Sequence, residues 1–260
     1  MRREEALRFE LFGESFELVV SRSDVLAEVR ERLPPLASSS GPVAPRARYV
    51  VSASSSSGLE VRRGKGRPAH AECPAAAADL VAEDIQHVLA HRARELLFLH
   101  AGAVAWQGRA IVLPGRSGCG KSRLVAELLA AGAGYVSDEL AVIDSRGRVH
   151  PYARPVALRQ GRGVERIPAQ EWRAAVPAKP VEASAFFFLR YRPGQPWTVE
   201  RLTPGQAVLA ALRHALAARR RLELARRILV PLSRRTPAFR GSRGEAAAAV
   251  SGVLEAVERA

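Results

Sequence analysis

The chain has 260 residues, 47% of them hydrophobic, with 40 basic against 26 acidic side chains and a formal net charge of +14. That length suits one large domain or a large domain with a small companion, and the apolar share is enough for a core. No apolar run approaches the roughly 18 residues of a membrane span, and two cysteines, Cys73 and Cys119, exclude a disulfide scaffold and point to a reducing cytoplasm.

The opening Met1-Arg2-Arg3-Glu4-Glu5 carries no signal-peptide apolar region. Residues 7–20 alternate apolar and polar side chains around Gly13, the pattern of a β-hairpin. Residues 24–33 read as a short helix stopped by Pro34-Pro35, and residues 37–46 as a Ser, Gly and Pro-rich loop. Tyr49-Val50-Val51 and Leu59-Glu60-Val61 are short strands flanking a serine run. Residues 1–70 are therefore expected to form a small α+β subdomain suited to packing or partner docking. Residues 74–95 follow a helical pattern, with Leu80, Val81, Ile85, Val88 and Leu89 on one face. His87 and His91 have a spacing a metal could use. They lack a third ligand and the Glu of a zinc-protease helix, so they read as surface histidines.

Leu96-Leu97-Phe98-Leu99 is a buried strand that continues through His100 to Trp106. Gln107-Gly108 turns the chain into a second strand, residues 109–113. The next stretch, Gly115-Arg116-Ser117-Gly118-Cys119-Gly120-Lys121-Ser122, fills every fixed position of the phosphate-loop pattern. It lies between that strand and a helical pattern at Leu124-Val125 and Leu128-Leu129. Glycines let backbone N–H groups turn inward around a phosphate chain, and a helix N-terminus adds positive potential. Lys121 would reach the β- and γ-phosphates and the Ser122 hydroxyl would sit on Mg²⁺. Arg123 follows as a further candidate nucleotide contact. Of the 40 basic residues 37 are Arg, yet one of the three Lys stands here, where a compact point charge is wanted.

The helix should end at Ala131-Gly132-Ala133-Gly134. Residues 135–144 then read as an apolar strand carrying two adjacent carboxylates, Asp138 and Glu139. Charges among apolar residues need partners, so a Mg²⁺ or base carboxylate opposite Lys121 is expected here. Side-chain alternation along a regular strand lets only one of the two face the loop. Arg154-Pro155-Val156-Ala157-Leu158-Arg159 is a strand. Residues 160–180, with Trp172 in a short helix, could form a substrate loop. Strands follow at residues 185–189 and 197–202. Thr203-Pro204 caps a helix to about Ala218, Arg219-Arg220-Arg221 interrupt or continue it, residues 237–241 give a last strand, and residues 245–258 a terminal helix. From Arg201 to Arg243 there are eleven Arg and one acid, Glu223.

The span from about Leu96 to Arg159 resembles the catalytic domain of HPr kinase/phosphorylase and its smaller serine-kinase relatives. His100 in Leu99-His100-Ala101-Gly102, the glycine loop and Val136-Ser137-Asp138-Glu139 carry the resemblance. It implies an α/β fold for residues 71–260: a P-loop domain with a mixed β-sheet flanked by helices, related also to phosphoenolpyruvate carboxykinase. It implies ATP and Mg²⁺ held by Lys121 and Ser122, with Asp138 as the general base for a serine hydroxyl and a metal-side carboxylate. His100 would support the phosphate or the second carboxylate. The family has two Asp where this chain has Asp138-Glu139. Its later glycine-rich signature, with a metal-binding Glu, has no clear match.

These features predict a kinase that uses ATP and Mg²⁺ and transfers the γ-phosphate to a hydroxyl, a serine first, of a protein or peptide. The alternatives are a nucleotide-binding regulatory module with little turnover and a small-molecule kinase. Arg154 or Arg159 could clamp the transferring group. The net charge suits an acidic partner. No groove-reading or aromatic-basic motif supports nucleic acid, and a homo-oligomer is left open.

Overall fold

The computed structural model describes residues 4–38, 44–54, 57–161 and 163–260. The chain divides into two compact units, Met1–Arg94 and Glu95–Ala260. The first holds β1 (Glu5–Leu11), β2 (Glu14–Val20), α1 (Ser23–Arg30), β3 (Ala37–Ser38), β4 (Ala47–Ala53), β5 (Leu59–Arg63), β6 (Ala69–Ala71) and α2 (Pro74–Arg92). Its strands form one sheet ordered β3-β1-β2-β4-β5-β6, with only β2 and β4 parallel. The expected hairpin is β1–β2. Its turn residues Phe12 and Gly13 have φ of 51° and 77°, the pair of positive values that matches strand twist in a two-residue turn. The register sets Phe9 opposite Phe16, and their rings stack 5.5 Å apart.

Helix α2 packs on α1, β5 and β6 and buries Val81, Ile85 and Leu89. The first unit therefore extends past this helix, rather than ending near residue 70. Two earlier readings fall partly on positions 39–43 and 55–56, outside the described residues: the loop over 37–46, whose Ala37–Ser38 is β3, and the serine run.

The second unit holds β7 (Leu96–Trp106), β8 (Arg109–Pro114), α3 (Lys121–Ala130), β9 (Gly134–Ser137), β10 (Leu140–Asp144), β11 (Arg148–His150), β12 (Val156–Gln160) and β13 (Gly163–Ile167). A 3₁₀ turn (Ala169–Trp172), β14 (Val181–Tyr191), β15 (Thr198–Arg201), α4 (Pro204–Leu212), α5 (Leu222–Arg235), β16 (Ala238–Arg243) and α6 (Ala246–Glu258) complete it. Eight strands form a mixed sheet ordered β11-β10-β7-β8-β14-β16-β15, with β9 on β7. Strand β14 runs parallel to β8 and β16. Val112 packs on one face with residues of α4 and α5, while Ile111 and Leu113 pack on the other with residues of α3 and α6. Helices cover both faces, which is why these strands read as continuous apolar runs rather than alternating ones.

Three expectations change. Residues 135–144 form two strands, not one. Helix α4 stops at Leu212. Beyond it His100 N donates to His214 O at 2.8 Å and Leu216 N to Phe98 O at 2.9 Å, so the chain edges β7 instead of continuing the helix. Part of residues 160–180 is strand, β13, paired with β12 in a two-stranded ribbon; position 162 lies outside the described residues. Among the described residues no helix is long and apolar enough to cross a membrane.

Candidate functional site

Strand β8 delivers the chain to Gly115, and α3 begins at Lys121. Between them Gly118 and Gly120 have φ of 80° and 83°, a region that glycine enters without steric cost. A Cβ on Gly115 would stand 2.5 Å from Cys119 Sγ, so the loop closes on itself only without a side chain there. Gly115 N donates to His100 O at 3.2 Å, tying the loop to β7. The first turn of α3 leaves the N–H groups of Lys121, Ser122 and Arg123 without intrahelical acceptors, at the positive end of the helix.

Arg243, at the end of β16, holds the loop from behind. It is 3% exposed and donates to Gly120 O and Gly244 O, both at 2.8 Å. Its guanidinium lies 5.4 Å from the centre of the Tyr191 ring. Lys121 Nζ lies 3.1 Å from Arg116 O and 3.5 Å from His100 Nε2. Burial lowers the Lys121 pKa, against the upward pull of Cys119, Glu139 and Asp138.

Asp138 and Glu139 occupy the bend between β9 and β10. Ser137 Oγ accepts from Glu139 N at 3.2 Å and from Leu140 N at 3.1 Å, a side-chain turn that ends the strand alternation. Both carboxylates consequently approach the loop, which corrects the expectation that only one could. Asp138 Oδ2 is 3.4 Å from Ser122 Oγ, and Glu139 Oε1 is 3.3 Å from His100 Nε2. Arg154 bridges the pair, with Nε 3.2 Å from Asp138 Oδ1 and Nη2 2.7 Å from Glu139 Oε2. The Asp138 side chain is 0% exposed and that of Glu139 29%. Asp138 also meets the Tyr135 hydroxyl at 3.2 Å and accepts from Ala157 N at 2.9 Å.

Burial is the largest influence on Glu139 and pushes its pKa up. The hydrogen bond to His100 and the charges of Arg154, His100 and Lys121 together outweigh it and hold the carboxyl at about 2. Burial likewise opposes the charge on Arg154, yet Asp138 and Glu139 raise its pKa above the ordinary value. His214, whose ring stacks on Phe188 at 6.1 Å, is held neutral. Burial, and then electrostatic interaction with His100, Lys121, Arg116 and Arg213, lowers its pKa to about 4.

His100, the loop, Lys121, Ser122, Asp138 and Glu139 thus lie together, and Arg123 is exposed on the first turn of α3. Arg159 Nη2 stands 3.4 Å from Ser117 Oγ. Tyr135, His214 and Arg243 escaped sequence reasoning. Nothing marks Arg243 as buried among the ten other Arg of residues 201–243. The Nδ1 atoms of His87 and His91 face the carbonyls of Glu83 and His87, at 3.1 and 2.8 Å. The paired oxygens of Ser122 and Asp138 fit Mg²⁺, a hard cation that takes one or two carboxylates and leaves other positions to phosphate and water.

No protein-family model matches the chain, and no curated protein matches it in sequence. Among solved structures the chain is similar to the Hpr(Ser) kinase/phosphatase from Coxiella burnetii. The TM-score is 0.38 and the identity 15%, over 62% of this chain and 96% of that one.

Proposed function

We propose that Glu95–Ala260 is a kinase dependent on ATP and Mg²⁺ that transfers the γ-phosphate to a hydroxyl, a serine of a protein or peptide. One observation carries this: Lys121, Ser122, His100 and two carboxylates converge on a glycine loop at a helix N-terminus. A loop alone serves nucleotide binding. Carboxylates at its mouth add the group that a phosphoryl acceptor needs, because such transfer rests on positioning and charge neutralisation.

The loop N–H groups would bind the phosphate chain and Lys121 would set a compact charge against it. Ser122 and Asp138 would hold Mg²⁺, which supplies neutralisation of charge on the transferring group. Glu139 takes the acceptor side. It is partly exposed, whereas Asp138 is enclosed by Ser122, Tyr135, Arg154 and Ala157. This reverses the division expected from sequence, which gave the base role to Asp138. Glu139 positions the acceptor hydroxyl and takes its proton. The new O–P bond forms as the bond from the γ-phosphorus to the bridging oxygen breaks, and ADP leaves. His100 and Arg154 fix the two Glu139 oxygens during that step.

The test is incubation with γ-labelled ATP, Mg²⁺ and a panel of serine peptides, read by mass spectrometry. Transfer should vanish in Lys121→Ala and fall at least about 100-fold in Glu139→Gln. ATP binding without transfer to any hydroxyl would instead make the chain a nucleotide-binding module. Near-normal transfer by Glu139→Gln, with Asp138→Asn inactive, would return the base role to Asp138.

A further inference from the structure

The net charge is not spread along the chain. Met1–Arg94 holds 14 basic and 13 acidic residues, whereas Glu95–Ala260 holds 26 and 13. In the first unit Arg8 and Arg48 pair with Glu17, Arg22 with Asp24 and Arg46 with Glu14, while the exposed Arg30, Arg67, Arg92 and Arg94 make no ion pair among the described residues. Arg116, Arg123, Arg159 and Arg213 are exposed, and among the described residues none of them makes an ion pair. Each is tied to the site. Arg116 lies within the loop and Arg123 on the first turn of α3, Arg159 reaches Ser117, and Arg213 precedes His214, whose carbonyl accepts from His100 N. Like charges left unpaired near one loop raise the local positive potential, which an opposite charge on a partner relieves.

We infer that the acceptor is an acidic polypeptide segment, with Asp or Glu flanking its hydroxyl, steered and held by Arg116, Arg123, Arg159 and Arg213; this rests on the phosphoryl-transfer reading above. The planar guanidinium fork matches carboxylates two bonds at a time. Nucleic acid fits less well. Among the described residues the one exposed large aromatic is Tyr191, and its hydroxyl is bound to Glu245, so no base-stacking platform lies there.

The experiment uses two labelled peptides of equal length, a serine flanked by Asp and Glu or by Asn and Gln, with fluorescence anisotropy as readout. The full chain should bind the acidic peptide at least about tenfold tighter than the neutral one, with the difference shrinking as salt rises. Arg213→Glu should cost about tenfold in that affinity and Arg213→Gln less, with circular dichroism as the check on folding. Lys65→Glu, the same charge change in the first unit, should cost little. Equal binding of both peptides, or equal losses in Arg213→Glu and Lys65→Glu, overturns the inference. So does tighter binding of a labelled DNA duplex than of the acidic peptide. Labelled ATP separates this from the kinase reading. Equal transfer to both peptides keeps the kinase and overturns the acidic acceptor. Selective acidic binding without any transfer keeps the surface and overturns the kinase.

Discussion

Arg32 in the first unit and Arg154 in the second each bridge two carboxylates, and they are built in opposite ways. The Arg32 side chain is 2% exposed, while its partners Glu28 and Asp79 are 34% and 54% exposed. At the loop the buried member is an anion, Asp138, at 0%. The first arrangement fastens two helices: Arg32 also donates to Glu28 O at 2.8 Å, and its acids keep their water. The second removes a carboxylate from water altogether, which demands several donors at fixed positions. Its remaining acid, Glu139, opens beside Lys121. An anion taken out of water beside a glycine loop marks a candidate functional site, as a solvated clamp does not.

The largest effects should follow from removing each arginine. Arg154→Met should destabilise the protein by about 3–5 kcal/mol, because Asp138 stays buried without its cation. Arg32→Met should cost about 1–2 kcal/mol, since Glu28 and Asp79 return to solvent. Denaturant midpoints measure both, and equal costs would erase the contrast. A smaller pair concerns hydroxyls. Tyr135 reaches Asp138 and, at 2.7 Å, Arg154 O, so Tyr135→Phe should cost about 1–2 kcal/mol. Tyr49 donates to the better exposed Asp84 at 2.7 Å, and Tyr49→Phe should cost about 0.5–1 kcal/mol. The reverse order in thermal unfolding would count against the account.

The last effect is confined to acid. The Glu139 carboxyl is held at about 2 against an ordinary 4.5. A depressed carboxylate contributes stability that is fully present above the unfolded value and lost as pH falls through the folded one. Its contribution should therefore be constant above pH 4.5 and fade toward pH 2. Glu139→Gln should flatten that part of the melting-temperature profile and leave neutral pH nearly unaffected by titration. An identical acid slope in both proteins would contradict the assignment.

Much of the frame was legible in sequence because its signals are local. Phe12-Gly13 and Gln107-Gly108 mark hairpins by turn chemistry, the latter with φ of 48° and 76°. The glycine loop announces the passage from β8 to α3. What escaped depends on contacts made across the fold. Asp138-Glu139 lies within a largely apolar stretch, Tyr135 to Ile143, so the two short strands read as one. The break comes from the Ser137 hydroxyl, which leaves no trace in periodicity. Residues 213–218 keep the Ala and Leu of a good helix, yet pairing with the β7 edge wins. Arg243 looks like any surface arginine until β16 carries it under Gly120.

The most direct test is a calorimetric titration of ATP, with Mg²⁺ in excess, into wild-type protein and Lys121→Ala. Saturable binding to the wild type is expected, with an affinity about ten- to a hundredfold weaker in the variant, the worth of one charged hydrogen bond to phosphate, at an unchanged unfolding midpoint. Equal affinity in two equally folded proteins would contradict it, because the loop would then not be the nucleotide site.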